Sequence, residues 1–189
     1  MTFTETRLHG VFLVDPQRLE DDRGFFARTF SQDEFEAHGL RSHFVQCSMS
    51  FNRSRGTLRG MHYQVAPHEE AKLVSCVRGA IFDAVIDLRR GSPTYCHWFA
   101  TELSAETLKM LYVPEGCAHG FQTLQDDTVV FYQMSEVYHP EYARGVRWDD
   151  PVFRIPWPLP PSRMSPMDRA YEPFQADAPP GQVKTPWTA

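Results

Sequence analysis

Short apolar runs rich in β-branched and aromatic residues recur along this chain, and most are too brief for long amphipathic helices. They predict strands over Gly10 to Val14, Phe25 to Phe30, His43 to Phe51, Ala71 to Val77, Ala80 to Leu88, Tyr95 to Leu103, Lys109 to Val113 and Thr128 to Val137. Turn residues punctuate them at Arg90-Gly91-Ser92-Pro93, Pro114-Glu115-Gly116 and Asp126-Asp127. Within Ile81 to Leu88 the apolar positions Phe82, Ala84, Ile86 and Leu88 alternate, and Asp83 and Asp87 fall on the other face. That alternation predicts a strand with one face turned away from the core. One short surface helix is signalled between Ser31 and Gly39, where Ser31 and Glu34 have capping-box spacing and Phe35 is the single strongly apolar residue. Residues 151–189 hold ten of the fifteen prolines and predict an extended wrap with one helical turn near Ser165 to Tyr171. Many short strands without βαβ alternation point to an all-β fold, an antiparallel sandwich or barrel such as a jelly roll with a few short peripheral helices.

At 189 residues the chain suits a single domain with a sizeable core, and 42% hydrophobic and 13% aromatic residues exclude a disordered polymer. Nineteen Lys and Arg stand against 24 Asp and Glu. The formal charge of −5 predicts no general attraction to nucleic acid or to an acidic membrane, so an anionic ligand must be held by local basic groups. Cys47, Cys76, Cys96 and Cys117 show neither a C-x-x-C pair nor zinc-ligand spacing, and the default reading is free buried thiols. The first ten residues are polar, no run is long enough to span a bilayer, and a reducing cytoplasm is the expected location.

Chemistry concentrates in two segments. The first is Gly56-Thr57-Leu58-Arg59-Gly60-Met61-His62-Tyr63-Gln64, followed by Lys72. A strand histidine facing a barrel interior can act as a general base because its ordinary pKa lies near neutrality, and a lysine can offset a developing oxyanion. Each also has a structural reading, as a hydrogen-bonded core histidine and a solvated lysine. The second segment is Pro114-Glu115-Gly116-Cys117-Ala118-His119-Gly120-Phe121, whose glycines permit either a close approach to a ligand or simply a barrel corner. Tyr132 lies mid-strand and is either an interior proton donor or a packed aromatic.

Taken together, Asp21-Asp22-Arg23-Gly24-Phe25-Phe26, Thr57 to Gln64 with Lys72-Leu73-Val74, Gly79 to Asp83, Ser92-Pro93-Thr94, Pro114 to Phe121, Tyr132, Trp148-Asp149-Asp150-Pro151 and Ser165-x-x-Asp168 resemble, in order and spacing, the dTDP-4-dehydrorhamnose 3,5-epimerases. The resemblance extends from about Gly10 to Asp168. It implies a cupin-type jelly roll, a homodimer with exchanged N-terminal strands, and metal-independent epimerisation of a nucleotide-linked 4-keto-6-deoxyhexose without a cofactor. Matching motif to motif, it implies that His62 removes a proton beside the C4 ketone while Asp168 orients the imidazole. Lys72 would then stabilise the enolate, and Tyr132 would return a proton on the opposite face. Arg23, Phe26, Gln46 and Arg59 are implied to line the nucleotide and sugar site, with Asp83 and His119 near the reaction centre. An arginine pair also suits a diphosphate, because the guanidinium fork matches phosphate oxygens.

Two rival readings fit the residues less well. A metal-dependent cupin dioxygenase or isomerase would place a histidine where Gln64 stands, and a catalytically silent sugar-nucleotide-binding module would lack the set His62, Lys72, Tyr132 and Asp168. Strict alternation puts Arg59 and His62 on opposite faces of a strand, so a shared role requires a bulge near Gly60. The chain departs from the family pattern at Gln46-Cys47-Ser48, at Arg28 and in the length of the segment from Phe44 to His62. These departures bear on which sugar is used, the reaction type being untouched.

Overall fold

The structure is a computed structural model that describes residues 1–176. Its first sheet is ordered β1 (Thr2–Glu5), β2 (Phe12–Asp15), β10 (Met110–Val113), β7 (Lys72–Arg78), β12 (Thr128–Met134) and β5 (Gln46–Asn52). The second is ordered β13 (Ala143–Gly145), β6 (Leu58–Gln64), β11 (Cys117–Thr123), β8 (Ala80–Asp87) and β9 (Trp98–Ser104). A separate hairpin joins β3 (Arg18–Asp21) to β4 (Gly24–Ala27), and two short helices, α1 (Gln32–Ala37) and α2 (Pro166–Ala170), lie at the periphery. The strands pair antiparallel throughout both sheets, and neighbours distant in sequence, such as β2 with β10 and β12 with β5, make this the expected jelly roll.

The sheets face one another across a core in which Val74, Leu111 and Val130 of the first meet Ile81, Val85, Leu103 and Phe121 of the second. Each sheet is covered on its outer face as well. Phe35 of α1 and Leu40 pack on Leu73, Met110 and Tyr112, while Phe153 and Ile155 of the C-terminal segment pack on Met61, Ala84 and Ile86. Burying a side chain such as Phe35 completely contributes about 1.5–3 kcal/mol, so both covers are anchored by apolar contacts.

This double burial corrects the expectation for Ile81 to Leu88. Neither face of β8 is turned to solvent: Asp83 and Asp87 are wholly buried, and Ile81 and Val85 on their face belong to the central core. The charges are tolerated because each has a partner, His119 for Asp83, and Arg89, Ser92 and Thr94 for Asp87. Burial alone would raise the Asp87 carboxyl, but these hydrogen bonds outweigh it and bring the pKa down to about 2.

The segment Pro114 to Phe121 is no corner beyond Gly116, since Cys117–Thr123 is a fully buried strand paired on both sides. Gly120 belongs there because a Cβ would stand 2.7 Å from both the Arg59 carbonyl oxygen and the Met61 sulfur. The stretch from Phe25 to Phe30 is strand only to Ala27, and the sequence reading passed over β1 and β3. Ser31 does precede α1, but its side chain makes no capping bond, and Glu34 instead holds the N-terminal ammonium at 2.7 Å. Ser165 does cap α2, accepting the Asp168 backbone N–H. Cys76 and Cys117 are buried as expected, whereas Cys47 is exposed, because it points outward from an edge strand.

Between residues 151 and 176 the chain runs extended over the second sheet. The buried Gln122 side chain acts as a surrogate strand partner there, donating to the Leu159 carbonyl at 2.7 Å and accepting its N–H at 2.9 Å. The remainder of the expected wrap, 177–189, lies outside the described residues. Among the described residues no helix is long and apolar enough to cross a membrane.

Candidate active site

The site begins with an irregularity in β6. His62 pairs with His119 of β11 and Arg59 pairs with Phe121, so Gly60 and Met61 together oppose the single residue Gly120. This is the bulge that strict alternation required, and it brings Arg59 and His62 to one cavity. Gly60 has φ +118°, and a Cβ there would lie 2.5 Å from Gly120 Cα and 2.8 Å from the His119 carbonyl oxygen. Only glycine fits.

The His62 ring, about 39% exposed, opens into a cavity of about 510 Å³. Its Nε2 lies 2.6 Å from Asp168 Oδ1, and Asp168 is only 3% exposed. The carboxylate is delivered by α2, whose N-cap Ser165 fixes the Asp168 backbone. A buried carboxylate on one imidazole nitrogen sets ring orientation and tautomer and leaves the other nitrogen for proton transfer.

Tyr132 reaches the same cavity from β12 of the facing sheet. Its hydroxyl is 2.9 Å from Ser50 Oγ, and burial pushes the phenol well above its ordinary pKa despite that hydrogen bond and the nearby Arg59 charge. At neutral pH it is therefore a neutral O–H donor. Asn52, also buried, donates to the Ser50 carbonyl at 3.3 Å and accepts from Arg59 Nε at 2.8 Å, so one side chain locks both the phenol's neighbour and the guanidinium. Lys72, 8% exposed, also lines the cavity, with its ammonium 2.8 Å from Glu70 Oε1 and 3.3 Å from the His62 carbonyl oxygen. An imidazole and a phenol thus line one cavity from opposite sheets, together with the cations Arg59 and Lys72.

Residues 5–176 match the sequence model of the dTDP-4-dehydrorhamnose 3,5-epimerase family. The chain belongs to that family. It is 44% identical over 157 residues to a dTDP-4-dehydrorhamnose 3,5-epimerase of Methanothermobacter thermautotrophicus, covering 83% of this chain and 84% of that one. It is 39% identical over 163 residues, 86% of this chain and 78% of the other, to a dTDP-4-dehydrorhamnose 3-epimerase of Streptomyces niveus. The crystal structure of dTDP-4-dehydrorhamnose 3,5-epimerase from Bacillus anthracis with TDP and PPi bound is similar with a TM-score of 0.88 at 38% identity, covering 92% of this chain and 99% of that one. The chain is accordingly an isomerase of the epimerase type, built on the family's jelly roll.

Of the other residues singled out in the sequence of this epimerase, Gln46 and His119 line the cavity. Gln46 accepts the Tyr138 backbone N–H at 2.9 Å. Asp83 does not line it; wholly buried behind His119, it meets His119 Nε2 at 2.7 Å. Burial raises the Asp83 carboxyl against the lowering influence of His119 and Lys72. Arg23 and Phe26 are also absent from the cavity wall of their own chain. They sit on the β3–β4 hairpin, where Phe26 is 63% exposed and Arg23 pairs with Asp21.

Sequence reasoning named Ser48 only as a departure from the family pattern, and missed Ser50 and Asn52 of β5 as well as Tyr138 and Tyr171. A signal existed for the first three. Gln46, Ser48, Ser50 and Asn52 are polar at every second position, the mark of one strand face. Tyr171, whose ring centroid is 6.2 Å from that of His62, gives no such signal, because its place depends on the path of the C-terminal segment.

Proposed function

We propose that this chain epimerises a dTDP-linked 4-keto-6-deoxyhexose, inverting one or both carbons that flank the ketone. The supporting observation is the placement of the Asp168-held His62 and the neutral Tyr132 on facing sheets around one cavity. His62 takes the proton from a carbon beside the ketone, and the electron pair moves into the carbonyl to give an enolate. Lys72 offsets the charge on that oxygen, a role in which its ammonium turns from Glu70 toward the substrate. Tyr132 delivers a proton to the opposite face of the same carbon, leaving phenolate and imidazolium that reset through solvent. The sequence is redox-neutral, one proton leaving and one arriving, and calls for no electron carrier. Arg59, Gln46 and His119 position the sugar and its diphosphate, and Asp83 acts behind His119.

The same reading extends to a homodimer in which the β3–β4 hairpin of one chain completes the cavity of the other. A lone two-stranded hairpin is marginal in water, and this one exposes Leu19, Phe25 and Phe26. It also carries Arg23 away from its own cavity, as expected if a second copy receives it. Edge strand β5 exposes Met49 and Phe51, a further apolar surface suited to burial against that copy.

The decisive experiment incubates the protein with dTDP-4-keto-6-deoxyglucose in deuterium oxide and maps the label by mass spectrometry and NMR. Label is expected at C3, at C5 or at both. A related archaeal chain is named a 3,5-epimerase and a Streptomyces chain a 3-epimerase, so both patterns lie within the family's range. No label on this or any related 4-keto sugar nucleotide would defeat the proposal.

A further inference from the structure

Gln64 stands where a metal-dependent cupin would offer a second histidine, and its side chain does something else. Almost wholly buried, it donates to the carbonyls of His68 at 3.0 Å and Val137 at 3.1 Å, and accepts the backbone N–H of His139 at 2.6 Å. The segment after β6 and the segment after β12 are thereby pinned side by side. They carry His68, Glu136 and His139, whose donor atoms all lie within 4.8 Å of one another.

The local geometry is that of a partly assembled ligand set. His68 Nδ1 lies 3.9 Å from Glu136 Oε2, and His139 Nε2 lies 3.8 Å from Glu136 Oε1. The two imidazoles stack face to face with centroids 3.6 Å apart and planes inclined by 27°, so joint ligation requires one ring to turn about its Cβ–Cγ bond. Tetrahedral bonds to nitrogen and oxygen near the ordinary zinc lengths place donors about 3.3 Å apart, so closure draws the trio inward by up to about 1.5 Å from its present spread of 4.8 Å. Two further observations point to a ligand. His68 Nδ1 is buried without a hydrogen-bond partner, an unmet bonding capacity that a metal bond would satisfy. The far nitrogen of His139, Nδ1, lies 3.7 Å from the Glu141 carboxylate, which adds a second negative charge beside the trio and favours a cation there.

We propose that His68, Glu136 and His139 form a binding site for one borderline divalent transition metal, with Zn²⁺ as the representative ion and water completing the coordination. The site is separate from the proton-transfer cavity, which none of the three lines, and it is independent of the epimerase reading. It bridges two segments at the cavity's rim: Tyr138, between Glu136 and His139, lines the cavity, as does Glu70 two residues after His68. The bound ion braces that rim.

The test uses tag-free, full-length protein stripped with EDTA and titrated with Zn²⁺ by calorimetry. One equivalent per chain is expected to bind, with affinity at least about tenfold weaker in both His139→Asn and Glu136→Gln and unchanged in the control His43→Asn. At a metal concentration about a hundredfold above the dissociation constant the wild type should melt about 5–10 °C higher, and the two variants should not. Substitution with Co²⁺ should give visible absorption bands that both variants lose. Retained isotope exchange by the variants shows that they fold. Failure to bind an equivalent up to millimolar metal, or equal binding by wild type and both variants, overturns the proposal.

Discussion

Gly60→Ala tests whether the bulge in β6 builds the site. The change adds one methyl group, but φ of +118° is accessible essentially to glycine alone, and forcing another residue there costs about 1–3 kcal/mol. The new Cβ would also meet backbone, Gly120 Cα at 2.5 Å and the His119 carbonyl oxygen at 2.8 Å, and backbone in a central strand cannot swing aside as a flexible side chain would. Overpacking of this kind adds about 1–3 kcal/mol, for a combined loss of about 4 kcal/mol. For a chain of this size that lowers the melting temperature by about 8–16 °C. Gly39→Ala is the matched control, since Gly39 also has positive φ, +69°, with nothing within 4 Å of its Cβ. It should lose about 1–2 kcal/mol, so the difference between the variants isolates the clash. Thermal and denaturant unfolding supply the stabilities, and deuterium uptake by the substrate supplies the activity. Relief of the clash means re-pairing β6 with β11 in another register, which turns Arg59 or His62 out of the cavity, so exchange should fall with stability. If Gly60→Ala melts within about 2 °C of wild type and exchanges at the normal rate, neither the bulge nor its glycine is needed and the reasoning fails.

Tyr132→Phe should fold normally and still exchange the substrate proton with solvent through His62, while inversion falls by about 10²–10⁴-fold; inversion at the wild-type rate would remove Tyr132 from the mechanism. His62→Ala should lose exchange and inversion together, and full exchange in that variant would require another base. If the hairpin serves the partner's cavity, co-refolding equal amounts of Arg23→Ala and His62→Ala chains should restore about a quarter of wild-type activity, because half the dimers then hold one intact site, whereas hairpins acting within their own chain restore none. Asp87 has a folded pKa depressed to about 2, so its stabilisation is complete above the unfolded value of 3.8 and is lost as pH falls through about 2. Between pH 4 and 2 the wild type should therefore lose stability more steeply than Asp87→Asn, and parallel acid-unfolding curves would contradict that assignment.

The jelly roll was readable because its evidence is local: short β-rich runs, turn residues between them and no helical periodicity. The errors arose where one residue type serves two purposes. Gly116 and Gly120 read as a turn, yet only Gly116, at φ +76°, bends the chain, while Gly120 makes room for the backbone of β6. Ser31 and Glu34 have the spacing of a capping box, but the N-terminal ammonium competes for the Glu34 carboxylate and wins, a contact across 33 positions that no local pattern contains. Ser165, read only as the start of a helical turn, does act as a cap, because Asp168 presents its backbone N–H to the Ser165 side chain and its carboxylate to His62. His62 and Arg59 were legible as a conflict with alternation, and the conflict located the bulge.

A period of two identifies the faces of a strand without saying which lies inside, and the usual assumption, apolar inward, fails twice here. In β8 it fails because the outer face is covered by the C-terminal segment, so both faces are buried and the face bearing Asp83 and Asp87 is the inner one. In β5 it fails in the opposite sense. Gln46, Ser50 and Asn52 turn toward the cavity and its polar network, leaving Cys47 and Phe51 in solvent, while the exposed Met49 also borders the cavity. A barrel that encloses a reaction rather than a core must reverse its pattern where the cavity lies. The reversal then exports apolar surface to the outside of the same strand, and an edge strand with such a surface invites pairing or burial by another chain. The polar lining of the cavity and the apolar surface on the outside of the strand are therefore two consequences of one alternation in β5. Replacing Phe51 by serine should weaken self-association while leaving Ser50 and Asn52 in register, and sedimentation of that variant as the same species as wild type would break the connection.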